Sequence, residues 1–487
     1  MERLRISPDR HQTPVKLVGR WGFEELRELD ELDSYPFVRL HTPSAYYGVN
    51  SLALGDDRID RGGENAGFYE RATGQEVCAY FAEVAGRLTQ TGRVRVLTGH
   101  EHLGTTSDGE RVRELSTGAL LDVVVRRKIV DARYLEPSIP ATHTPPFEVA
   151  SGARVVPVND LPAVVQSASS YVVLWSGKTA ADACIWLLGN GVQPDRIRWV
   201  RPRDAWFYDR ALFQPLEQVG ALMEGNSLDA EAGAQAANID DLFERLEASG
   251  RLVRIDSAGR ATMFRGTMLS GFELEALRQI ADVIKLGRVR RIESGRIVLD
   301  RGESQTGRDV LHVDCTALGL NPAPARPIFE PGQIVLQQVR HLSPSFNAGL
   351  VAFVEAHRDN DEDKNRLCPP NPYPSSTEDW PGMVSRTWRT EGRWLSEPDV
   401  SAWVAQSRSI CCVRFPITST SLPCRRRSSA ISHMSGRRSS GSANWTDPAH
   451  APDMGRRSRF KAPNTKGAGD DPKSGIERSG TGGTRAI

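Results

Sequence analysis

The fold is decided by residues 169–206, which read SSYVVLWSGKTAADACIWLLGNGVQPDRIRWVRPRDAW. The apolar, β-branched run at 171–174 predicts a buried strand of a parallel sheet. Residues 180–188 predict a helix, and the Gly-Asn-Gly that follows is typical of a helix end. A second predicted strand, over 197–200, completes the order strand, turn, helix, strand. This order predicts a βαβ unit.

The turn of this unit predicts a site for the pyrophosphate of a dinucleotide. A helix N-terminus presents free N–H groups and the positive end of the helix dipole, which together stabilise a phosphate. Gly177, Lys178 and Thr179 lie at this turn and are the predicted phosphate cradle.

The end of the second strand predicts which coenzyme binds. In such units an acidic side chain at this point accepts the ribose 2′-hydroxyl of NAD. Here the strand is followed by Arg201 and Arg203, whose charges suit a 2′-phosphate. NADP(H) is therefore predicted over NAD(H), while Asp204 leaves NAD(H) open as the alternative.

One residue departs from the dinucleotide-binding pattern. G-x-G-x-x-G/A would fall on Trp175, Gly177 and Ala180, so a tryptophan stands in place of the first glycine. We expect an indole at this position to crowd a bound nucleotide. A βαβ unit that binds no ligand is the alternative interpretation of the same residues.

Length and composition indicate an ordinary globular chain of two or three domains. It has 487 residues, 39% hydrophobic and 25% charged residues, and a formal net charge of +1, so charge alone favours neither nucleic acid nor a membrane. The sequence has no membrane-spanning apolar run and no signal-peptide pattern. No C-x-x-C pair is present, which favours a reducing, cytoplasmic location and argues against a zinc cluster. The seven cysteines are Cys78, Cys184, Cys315, Cys368, Cys411, Cys412 and Cys424.

Two proline-rich segments, 135–149 and 321–324, divide the chain into parts. They bracket the block that contains the βαβ unit, so this block is predicted to be a domain inserted into another one. The predicted divisions are an atypical N-terminal segment over 1–34, a first domain over 35–150 and 321–405, the inserted domain over 151–320, and a tail over 406–487.

The tail is predicted to be disordered. Its basic, Ser/Arg/Gly-rich composition cannot bury enough apolar surface to offset the entropy lost on ordering. A tail that binds nucleic acid or anionic lipid is the alternative.

Local patterns predict further elements. Residues 75–88 and 351–365 predict helices, and 94–97 and 119–125 predict strands that pair with 128–132.

Two pairs of polar residues are also informative. Ser270 and Glu273 have the spacing of a capping box at the start of a helix. His100 and His102 would share one face of a strand. No third ligand lies near them in the sequence, so no metal site is predicted.

Several stretches together resemble the flavin-dependent, NAD(P)-binding oxidoreductases of the monooxygenase type. The stretches are YPFVRLHTPSAYYGVNS, QEVCAYF, KIVDARYLEPSIP, SYVVLWSGKTAADACIWLL, IRWVRPRDAW and LHVDCTALGL, and the resemblance covers roughly residues 34–403. It implies an α/β, Rossmann-like fold with two dinucleotide-binding domains, the NAD(P) domain being inserted into the FAD domain.

The resemblance also implies site residues and chemistry. In this class hydride passes from the nicotinamide to FAD, and the reduced flavin commonly activates dioxygen, so no catalytic acid or base is predicted. The residues implied to lie near the flavin are Arg39, His41, Thr42 and Pro43, and those implied to approach the FAD are Ala317 and Gly319.

The N-terminal segment departs from this class. Its members begin with a strand and a G-x-G-x-x-G helix for the FAD pyrophosphate, and residues 1–34 contain no such unit. We therefore expect a truncated or frame-altered relative whose FAD binding is impaired. A non-catalytic protein that retains only the NADP-binding domain is the alternative, and the small-molecule substrate and the oligomeric state stay open.

Overall fold

A five-stranded parallel sheet lies at the centre of the fold. The computed structural model describes residues 16–18, 35–106, 109–135, 137–138, 140–141, 143–320 and 323–407, all within the first of two units, Met1–Thr446 and Asp447–Ile487. The predicted disorder of the tail falls almost wholly on residues outside the described ranges.

The strands and helices follow one another along the whole described chain. The strands are β1 Lys16–Val18, β2 His100–Thr106, β3 Gly109–Glu114, β4 Leu120–Val123, β5 Ile129–Asp131, β6 Pro137–Ser138, β7 Glu148–Val149, β8 Val155–Pro157, β9 Ser170–Leu174, β10 Ile197–Val200, β11 Asp204–Asp209, β12 Leu252–Arg254, β13 Ala261–Leu269, β14 Asp282–Ile284, β15 Val289–Glu293, β16 Arg296–Leu299, β17 Gly302–Gln305, β18 Val310–Asp314, β19 Gly319–Leu320, β20 Phe329–Glu330 and β21 Gln333–Val335. The α-helices are α1 Gly74–Gln90, α2 Leu161–Val164, α3 Lys178–Gly189, α4 Val219–Gln235, α5 Ile239–Ala248, α6 Gly271–Arg278, α7 Pro344–His357, α8 Asp361–Leu367, α9 Asp379–Leu395 and α10 Pro398–Gln406.

The central sheet has the strand order β14-β10-β9-β18-β8, and every neighbouring pair is parallel. Its middle strand β9 is buried on both faces because alternate side chains point to opposite sides. Tyr171 and Val173 pack in one core with α3 and α6. Val172 and Leu174 pack in another with the hairpin β15–β16. The predicted α/β class and the predicted βαβ unit are confirmed.

The topology creates a crevice at one edge of this sheet. From β9 the chain passes through α3 to β10 on one side, while β18 pairs with β9 on the other. The order of the strands therefore reverses beside β9. In open parallel sheets, ligands bind outside the carboxyl ends of the strands at such a switch point.

A second sheet belongs to a separate hydrophobic core. Its order is β1-β5-β21-β20, with β1 and β21 both parallel to β5. Val130 and Ile334 of this sheet pack with α7 to α10. No strand was predicted over residues 1–34, whereas the structure places β1 there, paired with one edge of β5.

Three local predictions are wrong. Residues 94–97 form no strand, and β4 pairs with β3 while β5 pairs with β1 and β21. The predicted helix over 351–365 is two helices, α7 and α8. The chain is extended at Arg358, and the Asn360 side chain caps α8 by accepting from the N–H of Glu362.

The predicted capping box is confirmed at the start of α6, where Ser270 and Glu273 cap each other's backbone N–H groups. Within the described residues, no helix combines the length and the apolar character that crossing a bilayer requires.

Candidate functional site

The turn after β9 holds Trp175 in a conformation that is rare for a tryptophan. Its φ is 107°, in the left-handed region that favours glycine. Two hydrogen bonds fix this backbone, since Trp175 N–H donates to the Val200 carbonyl (3.0 Å) and Trp199 Nε1 donates to the Trp175 carbonyl (2.7 Å). The tryptophan therefore occupies the position of the first glycine with the backbone geometry that a glycine would supply.

The N-terminus of α3 opens directly after this turn. Gly177 is the N-cap residue, and no side chain caps the helix there. The Oγ atom of Ser176 is buried and has no hydrogen-bond partner within the described chain. Free N–H groups and an unpartnered hydroxyl at a helix N-terminus suit an anion.

This N-terminus forms part of the wall of a cavity of about 940 Å³, near the upper end of the size range of cofactor sites. Strand ends and loops from 35 to 373 contribute to its lining. The predicted site residues that line it are His41, Gly177, Lys178, Thr179, Arg203, Ala317 and Gly319.

Four predicted site residues do not line the cavity. Arg39 is exposed and its Nη1 donates to the Arg71 carbonyl (3.1 Å), while Thr42 and Pro43 are buried. Arg201 is buried, with its guanidinium carbon 5.1 Å from the centre of the Trp199 ring and its Nε 3.6 Å from Asp204 Oδ1.

The charge of the lining is entirely positive among the described residues. No aspartate or glutamate contributes to it, and its cationic side chains are Lys178, Arg203, Arg265, Arg288 and Arg290. Two of these charges are neutralised from outside the lining. Lys178 pairs with Asp182 and with Glu273 (3.7 Å), and Arg290 with Asp300 (2.5 Å).

Of the other three arginines, Arg203 and Arg265 have no carboxylate partner within the described ranges. Arg288 lies beside Asp300, because its backbone N–H donates to Asp300 Oδ2 (2.8 Å) and its charge helps to lower the pKa of that carboxyl. Burial and the nearby charge of Arg203 together lower the pKa of Arg265, so these two guanidinium groups repel each other. Adjacent cations without a counter-charge are stabilised when an anion binds between them. Arg203 and Arg265 thus give the cavity an anion-binding wall.

Arg265 and Arg288 are lining residues that were not predicted from the sequence. Arg265 lies in β13, an otherwise apolar strand that reads ATMFRGTML, and an arginine in such a strand is the signal that could have found it. Arg288 precedes β15 and carried no such signal.

Asp204, which kept NAD(H) as the alternative coenzyme, is occupied by a lysine. Its Oδ2 accepts from Lys285 Nζ (2.5 Å), which also pairs with Asp256. Asp204 is buried and does not belong to the lining.

A buried cluster of charged side chains surrounds Glu273 and includes Lys178 of the cavity lining. Glu273 accepts from Arg210 (2.7 Å) and lies 3.7 Å from both Arg71 and Lys178. Burial alone would raise the pKa of Glu273, but these three cations outweigh it and hold the pKa at about 2. Burial, with the same cations, lowers the pKa of His41 to about 3, so its imidazole is neutral at pH 7.

The predicted histidine pair lies on β2. His102 Nε2 forms a hydrogen bond with Glu110 Oε2 (2.5 Å), and the described residues contain no group of three ligands that could hold a metal ion.

Fold and site together define an α/β protein with a Rossmann-type sheet and a cationic cavity at its switch point. No family model matches the chain. It is 43% identical over 377 residues to the uncharacterized protein Rv2000 of Mycobacterium tuberculosis, covering 77% of this chain and 69% of that protein. The uncharacterized protein Mb2023 of Mycobacterium bovis matches to the same extent. The chain belongs to the family of these mycobacterial proteins.

The chain is also similar to solved flavin-dependent monooxygenases. An open structure of cyclohexanone monooxygenase is 11% identical, with 71% of this chain and 87% of that chain covered and a TM-score of 0.42. DfoA bound to FAD, the cadaverine monooxygenase of Erwinia amylovora, is 14% identical, with coverage of 57% and 70% and a TM-score of 0.32.

Proposed function

We propose that this protein binds NADP(H) in the cavity at the switch point and acts as an FAD- and NAD(P)H-dependent oxidoreductase. The observation that carries the proposal is the lining of the cavity. Two arginines without counter-charges, Arg203 and Arg265, and an uncapped helix N-terminus face one space, and no described carboxylate lines it. A polyanionic dinucleotide matches this wall.

The positions of the charges assign parts of the coenzyme to residues. The backbone N–H groups at the start of α3, with Ser176 beside them, hold the pyrophosphate. Arg203 and Arg265 hold the 2′-phosphate, which distinguishes NADP(H) from NAD(H). The pairing of Asp204 with Lys285 supports this preference, because a carboxylate that is already paired and outside the lining does not receive a ribose hydroxyl.

The flavin part of the proposal depends on the sequence resemblance. Among the described helices, only α3 begins in the lining, so the cavity offers the pyrophosphate cradle of one dinucleotide. His41, Ala317 and Gly319 are the lining residues that would face a flavin. Bound FAD would supply the electron acceptor for hydride from the nicotinamide.

A nucleotide-binding protein without a flavin is the second candidate. The single pyrophosphate cradle favours it, since NADP(H) alone then accounts for the cationic lining.

An absorbance spectrum of the purified protein, before and after addition of FAD, separates the two candidates. We expect the protein to bind added FAD weakly, with a change in the flavin absorbance spectrum, and the bound flavin to bleach anaerobically on addition of NADPH. A protein that leaves the spectrum of added FAD unchanged, yet binds NADPH, would contradict the oxidoreductase and leave the nucleotide-binding protein.

A further inference from the structure

His143 and Asp314 form an imidazole–carboxylate pair at the cavity. His143 Nε2 and Asp314 Oδ2 lie 2.8 Å apart, and both side chains are almost completely shielded from solvent. The other carboxylate oxygen, Oδ1, accepts from the backbone N–H (2.9 Å) and the hydroxyl (2.7 Å) of Thr316. Asp314 is thereby held on both of its oxygens.

The pair lies at the switch point. Asp314 is the last residue of β18 and is in register with Leu174, the last residue of β9. His143 and Thr316 belong to the lining of the cavity, whereas Asp314 lies behind them. The imidazole therefore stands between a buried carboxylate and the space in which a ligand binds.

The carboxylate fixes the tautomer of the ring. An ionised carboxylate accepts hydrogen bonds only, so the neutral imidazole carries its proton on Nε2 and has a free lone pair on Nδ1. No described residue forms a hydrogen bond with His143 Nδ1. Nδ1 is thus the atom at which this ring can gain a proton.

The ring lies between groups of opposite charge. Asp314 forms a hydrogen bond with it on one side, and the cations of the lining belong to the cavity on its other side. The titratable and charged side chains that share the lining with His143 are Tyr35, His41, Lys178, Arg203, Arg265, Arg288, Arg290, Cys315 and Tyr373. An anion bound in the cavity would neutralise these cations and add negative charge on the side of the ring that faces the cavity.

We propose that His143 takes up a proton from solvent at Nδ1 when an anionic dinucleotide binds in the cavity. Asp314 stabilises the imidazolium that forms, so that the complex holds a proton donor beside the ligand. The inference rests on the proposed function, because it requires that such a ligand binds here.

The chain contains a matched control pair outside the cavity. His102 and Glu110 have the same chemistry, with Nε2 and Oε2 2.5 Å apart and side chains that are 14% and 4% exposed. They lie on β2 and β3 and do not line the cavity.

The test is isothermal titration calorimetry with NADP⁺ between pH 6 and pH 8, in buffers of different ionisation enthalpy. The proteins are the wild type, His143→Gln, Asp314→Asn and His102→Gln. We expect the wild type to take up as much as one proton on binding.

The Kd of the wild type for NADP⁺ should then rise with pH more steeply than the Kd of His143→Gln. The ratio of the two Kd values should grow by as much as about tenfold per pH unit, because one proton is linked to binding. The 2′-phosphate of the coenzyme gains charge as the pH rises, but this contribution is common to all four proteins.

The variants separate the possible outcomes. His143→Gln and Asp314→Asn should lose the proton uptake, and His102→Gln should retain it. Wild-type proton uptake in His143→Gln would overturn the inference and leave the proposed function intact. Absence of NADP⁺ binding to the wild type at every pH would contradict both. If His143→Gln fails to fold, as thermal unfolding would show, His143→Asn replaces it.

Discussion

Trp175 has a backbone conformation that proteins normally give to glycine. A bulky residue with positive φ stores roughly 1–3 kcal/mol of strain, and such residues cluster at ligand sites. Here the strain is held in place by the hydrogen bonds to Val200 and Trp199. The indole lines the cavity, with its Cδ1 3.5 Å from the point where a Cβ on Gly177 would lie. The ring therefore occupies space beside the phosphate cradle.

Replacement of Trp175 by glycine should improve coenzyme binding and relieve strain. We expect Trp175→Gly to lower the Kd for NADPH by about tenfold, which is a gain of about 1.4 kcal/mol. Trp175→Ala should give a similar Kd, because it also removes the ring. The glycine variant should be about 1 kcal/mol more stable in urea denaturation than the alanine variant, because only glycine adopts a φ of 107° without strain. An unchanged Kd in both variants would show that the indole does not crowd the nucleotide.

Arg201 and Arg203 are two residues apart and have different surroundings. Arg201 packs against Trp199 and beside Asp204, whereas Arg203 lines the cavity without a carboxylate partner. We expect Arg201→Ala to lower the free energy of unfolding by about 1–3 kcal/mol, because Asp204 loses a buried partner. Its affinity for NADPH should stay within about twofold of the wild type. A loss of NADPH affinity without a loss of stability in Arg201→Ala would instead place the 2′-phosphate at Arg201.

At the scale of elements, the sequence predicts the helices, strands and caps that local residue patterns determine. Strand β9, helix α3 and strand β10 follow from periodicity and glycine positions, and the Ser270–Glu273 capping box follows from spacing. The neighbours of β5 could not be predicted, because β1 and β21 lie more than a hundred residues away in either direction along the chain. The cavity could not be predicted for the same reason, because its wall combines residues from separate elements, such as His143, Arg203 and Arg265.

The carboxylate of Glu273 joins α6 to the elements around it, and its pKa predicts a pH dependence of stability. The pKa is about 2 in the fold and 4.5 for an ordinary glutamate. A depressed pKa contributes stability above the unfolded value, and this contribution is lost as the pH falls from about 4.5 through about 2. A shift of this size corresponds to about 3 kcal/mol.

Glu273→Gln should therefore be destabilised at neutral pH and less so in acid. We expect a loss of about 3–5 kcal/mol at pH 7, because Arg71, Lys178 and Arg210 lose their common partner. The difference from the wild type should shrink as the pH falls below about 4. Urea denaturation at a series of pH values measures this, with Glu275→Gln, an exposed position on the same helix, as the control. A constant difference at all pH values would contradict the assigned pKa.

At the scale of the whole molecule, several elements of the fold contribute to one anion-binding cavity. The central sheet provides the switch point, α3 provides the free N–H groups, and the turn between β10 and β11, strand β13 and the segment before β15 provide Arg203, Arg265 and Arg288. The buried cluster around Glu273 neutralises Lys178, and Asp300 pairs with Arg290 and lies beside Arg288, which leaves Arg203 and Arg265 as the uncompensated charges. The arrangement explains why a chain with a net charge of only +1 has a strongly positive interior site.

The central claim is that this cavity recognises the phosphates of NADP(H). Its most direct test is isothermal titration calorimetry of the wild type and of Arg203→Ala/Arg265→Ala with NADPH and with NADH. Arg260→Ala is the control, because Arg260 is exposed and pairs with Asp240 outside the cavity. We predict one-site binding of NADPH to the wild type and to the control, at least about tenfold tighter than NADH, with this preference lost in the double variant. A flat titration of the wild type with both coenzymes, or an unchanged NADPH affinity in the double variant, would contradict the claim.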